Sequence, residues 1–386
     1  MEVKQIHELM NSVTKEVLGK EDLLQEDLSN IVDVGTELFN TTQVDNYVRT
    51  LVDKVGKVIF VNRPYSGSAP SVFMDAWDFG SVVQKINPEL PEAKENKSWD
   101  LQDGEEYSPN VFYKPTVSNK FFNNKMTFEI DMSFTERQVR ESFNSATEIN
   151  SFLSMLYGAV EKSFTIKLDA LIMRTINNMI GETLEADKEN IKAVNLLKLY
   201  NDKFGDNLNG TLAVKDCLTD KEFIRFASMQ MELYTDRLTR MSTLFNVGAK
   251  DRFTPNDKLH IVMLSEFKAS ANTYLQSEVF HNELTKLPNA ETVPYWQGSG
   301  TNFAFDATST IKVKTSSGKA IEQSGVLAVM FDHDALGVSN LERRVTTHFN
   351  PKGEFYNNFF KMECGAFNDL NENFIVFFVA DEVTEG

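Results

Sequence analysis

Cysteine is almost missing from this 386-residue chain: Cys217 and Cys364 lie far apart and form no Cys-x-x-Cys pair. That excludes a disulfide scaffold and a cysteine-based zinc site, and it predicts two unbridged, buried thiols in a reducing compartment. Positive charge is also short, with 39 Lys and Arg against 56 Asp and Glu, a formal charge of −17. A direct clamp on nucleic acid needs a concentrated Lys/Arg surface to displace counterions, so that class is disfavoured. A container around nucleic acid is not, although solubility alone accounts for an acidic chain. No uninterrupted apolar run is long enough to cross a bilayer, and the opening Met-Glu-Val-Lys-Gln-Ile-His lacks the apolar core of a signal peptide. A protein made and used in cytoplasm, or in something assembled there, is expected, with no membrane partner. Proline is sparse too, ten in all, and with 41% hydrophobic and 25% charged residues the chain is neither disordered nor fibrous.

Chemical signatures are equally scarce. Gly318-Lys319 is followed by Ala320 where a phosphate loop needs Ser or Thr, and the earlier glycine position is Val313. Gly298-Ser299-Gly300 opens a dinucleotide pattern, but Phe303 stands at its third glycine. His7-Glu8 has Asn11 where a zinc protease needs its second histidine. Among five scattered histidines, only Asp332-His333-Asp334 sits among carboxylates. Side chains of adjacent residues diverge in regular backbone, so the segment reads as a strand end passing into a short helix, with Asp332 or Asp334 as cap. There is no Gly-x-Ser-x-Gly elbow, and Asp216 and Glu363 beside the two cysteines work against thiolate formation. No catalytic, cofactor-binding or metal-ligating residue is expected, and no cofactor; the chain does not read as an enzyme.

What is present is length, phenylalanine and a distinctive order of parts. The length exceeds one ordinary core, so two or three lobes are expected, and 30 phenylalanines suit cores and subunit interfaces alike. Residues 1–40 read as a short helix, broken at Gly19, and an acidic arm. Residues 41–63 read as a helix ending at Gly56 and a strand, Val58–Val61. The stretch 64–112 holds five of the prolines with isolated Phe73, Trp77, Phe79 and Trp99. A span that long without a periodic core pattern reads as an extended arm whose apolar partners lie on another molecule. From Met126 to Phe134 apolar and polar residues alternate as in a half-buried strand, and Thr135 with Gln138 forms a capping box. The longest helical stripe runs over 147–180, on the order of 50 Å. A mixed α/β lobe follows, with helices at 190–200 and 219–240, the second capped by Thr219, and a strand Leu259–Leu264. Strands at 326–331, 343–349 and 354–367 come next, and Phe374–Val379, apolar on both faces, reads as a buried central strand.

This α+β order resembles the major capsid proteins of tailed phages, the fold named after phage Hong Kong ninety-seven. Segments similar to the head proteins of small short-tailed (podovirus) Bacillus phages are Asn46-Tyr47-Val48-Arg49-Thr50-Leu51-Val52-Asp53-Lys54-Val55-Gly56, Pro109-Asn110-Val111-Phe112, and Glu354-Phe355-Tyr356-Asn357-Asn358-Phe359-Phe360. The resemblance implies an N-terminal arm at 1–40 and an extended loop at 64–112. It implies a peripheral domain from 41–63, 113–205 (with the spine helix) and 336–386, where the final strand partners 354–360, and an inserted axial domain at 206–335. It further implies self-assembly, through pentamers and hexamers, into an icosahedral head made in the host bacterial cytoplasm. Scaffolding and portal proteins are the implied partners, and DNA is enclosed without sequence-specific binding. The Bacillus phage proteins carry an extra immunoglobulin-like domain, for which no counterpart is expected here. A nanocompartment shell of the same fold around a protein cargo, and a soluble α/β enzyme, remain the alternatives.

Overall fold

A computed structural model describes residues 3–19, 24–25, 30–39, 46–48, 50–51, 72–74, 83–88, 90–91, 93, 95, 102–104, 110, 112–114, 117–122, 124–187, 189–205, 211–276, 290–296 and 310–380. The expected strand Val58–Val61, and the loop residues Trp77, Phe79 and Trp99, lie outside the described residues. Helices α1 (Val3–Leu18) and α2 (Ile31–Phe39) come first, and the chain is helical again at 46–48 and 50–51. Met10, Val13, Ile31, Val34, Tyr47 and Leu51 are all buried, so this region is built into the core. Asn11 and His7 hold the Leu24 carbonyl, and Thr14 meets the Tyr47 hydroxyl at 3.4 Å. Burial pushes that phenol up to about 12, against the Thr14 hydrogen bond.

Short strands β1 (Phe73–Met74), β2 (Val83–Pro88) and β3 (Val117–Phe122) lead to β4 (Lys125–Thr135). The alternation in β4 appears as strict alternation of burial along the strand. Thr135 and Gln138 form the reciprocal capping box that starts α3 (Glu136–Ser142). The Ser145 hydroxyl then caps α4 (Ala146–Ala186), whose 41 residues give a rod of about 62 Å. Its first half is amphipathic, burying Ile149, Leu153, Val160 and Phe164 while Met155 and Ile166 stay exposed. From Leu168 to Thr183 nearly every residue is covered, because this half lies between two sheets. Buried Thr175 and Thr183 turn their hydroxyls back onto the Leu171 and Met179 carbonyls.

Next come β5 (Ala193–Asn195), α5 (Leu196–Phe204), α6 (Lys221–Leu238), β6 (Leu259–Leu264), α7 (Ser265–Gln276) and β7 (Ala290–Val293). The expected helix over 190–200 begins only at Leu196, because the Asp187 carboxylate accepts the backbone N–H groups of Ile191, Lys192 and Ala193 and holds them in a loop. The cap of α6 is Asp220, not Thr219. Its carboxylate accepts the Phe223 N–H at 2.7 Å, a stronger charge-assisted bond, and the Thr219 hydroxyl donates to Asp216 instead. The hairpin β8 (Ile311–Lys314) and β9 (Ala320–Gln323) lies on the buried half of α4, where Ser317 donates to Glu185 at 2.7 Å.

The chain closes with β10 (Val326–Asp332), β11 (Leu336–Asn350), β12 (Phe355–Asn368) and β13 (Phe374–Phe378). One sheet orders its described strands β1-β11-β12-β4, the other β5-β13-β10-β6-β7. The final strand therefore does not partner the 354–360 segment. It pairs antiparallel with β10 and parallel with β5, and a strand apolar on both faces is stable only at such an interior position. Chain order had suggested otherwise; the turn at Asp369–Asn373 carries the chain from one sheet into the other.

Candidate functional site

Strands β2 and β3 pair only with each other among the described residues and join neither large sheet. β2 lies within the Pro-rich stretch 64–112 and β3 just after it. Near this return the chain displays Phe112, 85% exposed, and Tyr113, 83% exposed, with Val117 and Phe121 also open to solvent. So many uncovered rings on one strip mark an interaction surface.

The hairpin is fixed to the body by charge. Lys85 on β2 and Lys120 on β3 stand opposite each other in the register, an unfavourable pair by itself. Both reach the carboxylate of Asp369, Lys85 at 3.0 Å and Lys120 at 2.9 Å, and the Asp369 side chain is fully shielded from solvent. Lys85 also meets Glu372 at 2.7 Å and donates to the Asp334 carbonyl at 3.2 Å, while Arg252 holds Glu372 from the other side at 3.2 Å. Burial alone would push the Asp369 carboxyl up; the Lys120 hydrogen bond and the Lys85 charge outweigh it, and the group is held below its ordinary value. Phe122 adds a ring contact with Phe367 at 5.1 Å.

The turn carrying Asp369 and Glu372 is itself rigidly seated. Asp369 N–H donates to Ala335, Gly248 N–H to Leu370, and Phe374 N–H to Phe245, at 2.7, 2.8 and 2.9 Å. In sequence, 368–373 reads only as a polar loop, and nothing marks Lys85, Lys120 or Arg252. No local period or motif links residues spread from 85 to 372; the opposed lysines become visible only once the hairpin register is known.

The Asp332-His333-Asp334 segment is a tight turn between β10 and β11, with no helix following it. Asp332 accepts the Asp334 N–H at 2.9 Å, Asp334 pairs with Lys258 at 3.1 Å, and His333 Nδ1 meets His260 Nε2 at 3.1 Å. The three side chains thus go to three different partners. Among the described residues no group of three His, Cys, Asp or Glu is placed to hold a metal ion. Cys217 and Cys364 are both buried, and neither is in a disulfide. A groove of about 380 Å³ between α5 and α6 is lined by Tyr200, Phe204, Phe226 and Met229. Its charged groups are spent on each other or on its rings: Arg225 pairs with Glu222 at 3.1 Å, and the Lys203 amine lies 5.3 Å from the centre of the Phe204 ring. No described helix is long and apolar enough to cross a membrane.

A family model described as Phi29-like phage major capsid protein matches residues 10–378, nearly the whole chain. The chain belongs to that family. Its mixed helix–sheet fold is that of phage capsids of the Hong Kong ninety-seven type. A chain of the capsid structure of Staphylococcus phage Andhra aligns over 82% of this chain and 85% of its own length, with a TM-score of 0.53 at 10% identity. A chain in the structure of the head fibre and inner core protein of native bacteriophage P68 aligns over 80% and 83%, with a TM-score of 0.50 at 10% identity. No curated protein matches the sequence. As a major capsid protein this chain forms the shell of a phage virion, and the β2–β3 hairpin and its ionic seat are parts of a shell-building subunit.

Proposed function

We propose that the capsid protein builds an icosahedral head from rings of five and six copies, and that the head encloses the double-stranded DNA of a short-tailed phage allied to those of Bacillus. In this reading residues 41–63, 113–205 and 336–386, with β4, α4, β11 and β12, make up the peripheral domain, and residues 206–335 the axial domain, to whose sheet β5 and β13 also pair. The segment 64–112 reaches over an adjacent copy. The observation supporting this is the exposure of Phe112 and Tyr113; rings left in water on one copy gain shelter on the next. Each contact is modest, and closure of many makes the shell durable. Assembly takes place in the host cytoplasm with a scaffolding and a portal protein as partners. The reading assigns no catalytic residue, cofactor or metal.

Expression of the full chain followed by negative-stain microscopy is expected to give closed shells or curved sheets. Deleting residues 64–112 is expected to leave soluble protomers that build neither. Intact icosahedra from the deleted chain would overturn the reading.

A further inference from the structure

The arm hairpin, the strand sheet and the α/β lobe meet at one place. The Asp369–Asn373 turn joins β12 of the first sheet to β13 of the second. Its backbone is tied to the 245–248 and 332–335 segments, and its two carboxylates hold the hairpin through Lys85 and Lys120. We infer that Asp369 and Glu372 are positioning residues that set the direction in which the arm leaves the subunit, and thereby the curvature of the shell.

Three observations carry this. The hairpin has no strand pairing with the body among the described residues; backbone hydrogen bonding ties only its base, where Ala366 N–H donates to the Asn124 carbonyl just past β3. Its two lysines face each other across the register, which is unfavourable unless a carboxylate lies between them; the hairpin is thus built for this seat. The seat is closed on the far side by Arg252 on Glu372, a residue of the α/β lobe, so the arm is referenced to both lobes at once. The Asp369 carboxylate is shielded from solvent while its lysine partners are partly exposed, and a shift of the hairpin by a few ångströms would leave that buried charge uncompensated. An apolar joint tolerates such sliding.

This inference rests on the reading that the arm docks on a neighbouring copy. Three full-length variants test it: Asp369→Asn, which keeps shape and removes charge; Lys120→Gln, which alters a partly exposed partner and leaves Asp369 paired with Lys85; and Lys120→Arg as the conservative control. Hydrogen exchange of 83–88 and 117–122 is read on unassembled protein, and particle diameter by microscopy. Asp369→Asn is expected to speed hairpin exchange by about tenfold or more while β10 and β13 stay protected, and to broaden or shift the diameter distribution. Lys120→Gln is expected to move both in the same direction by less, and Lys120→Arg to restore parental diameters. Parental protein that builds neither shells nor curved sheets would overturn the docking reading itself. Parental shells alongside Asp369→Asn and Lys120→Gln shells of unchanged diameter, with unchanged hairpin exchange, would overturn this inference alone.

Discussion

Replacing Phe112 and Tyr113 together by alanine separates subunit stability from assembly. Both rings are more than four-fifths exposed in the single subunit, at 85% and 83%, so their removal takes almost nothing from the fold; exposed substitutions of this kind usually stay within about 0.5 kcal/mol. Under the proposed docking on an adjacent copy, the same rings are covered in the shell. Full burial of a large apolar side chain is worth about 1.5–3 kcal/mol, hence ~3–6 kcal/mol for two. Ordering each ring at an interface takes back about 0.5–1.5 kcal/mol. A net loss of about 3 kcal/mol per arm contact remains, and at ~1.4 kcal/mol per decade the threshold concentration for assembly rises by about 100-fold.

Light scattering against protein concentration gives the threshold, and urea unfolding of dilute, unassembled protein gives the stability. The double variant is expected to unfold like the parent and to assemble only at much higher concentration. A threshold within about threefold of the parental value, where side-chain burial of this size predicts about two decades, would refute the argument that these rings are sheltered by a neighbour. So would a drop of more than about 2 kcal/mol in the lone subunit, because that loss would place the rings inside their own fold.

Gly325→Ala and Gly318→Ala form a matched pair in urea melts. Both glycines have positive φ, +70° and +88°, so each alanine costs about 1–2 kcal/mol for the left-handed backbone. At Gly325 the new methyl also collides with the Val379 carbonyl oxygen, whereas at Gly318 it meets only the end of the Lys314 side chain at 3.9 Å, an ordinary contact; the collision adds about 1–3 kcal/mol, and equal losses at the two sites would contradict the packing of β10 on the end of β13. Acid should loosen the hairpin through Asp369. Its carboxyl is held below the ordinary 3.8 by Lys120 and Lys85 against the effect of burial, so its contribution is complete above that pH and is lost as pH falls through the lower, folded-state value. Hairpin protection, taken relative to the intrinsic exchange rate at each pH, should therefore stay level from neutrality down to about pH 4 and fall below it; a fall centred above pH 5 would point to another group.

Much of the fold is legible in local pattern, and the reasons are specific. Alternation from Met126 to Phe134 is a direct record of the β4 pleat. Thr135 with Gln138, and Ser145 at the start of α4, are short-range devices acting over three residues. The apolar stripe over 147–180 stops short of the end of α4 at Ala186 because the last six residues are Gly-Glu-Thr-Leu-Glu-Ala, with only Leu184 to continue it. What local pattern does not encode is partner choice. The apolar run Phe374–Phe378 announces an interior strand, but its place beside β10 and β5 is decided by the whole topology. Likewise Thr219 and Asp220 are both good caps in sequence, and only the backbone geometry selects the carboxylate.

The ionic seat of the arm is the extreme case of this limit and explains why it is ionic. A buried pair gains little over well-packed apolar residues in stability, since desolvation offsets most of the attraction. If holding the hairpin down were the only requirement, leucines at 85, 120 and 369 would serve. Three cations and two carboxylates converge from β2, β3, the Arg252 segment and the 369–373 turn, and the three bonds made by Lys85 and Lys120 supply direction as well as attraction, because they depend on the orientation of the hairpin. A subunit that must repeat one geometry around a closed shell needs that direction. The same arrangement leaves no trace in periodicity or motif, because its members come from four distant segments and meet only after both sheets have formed.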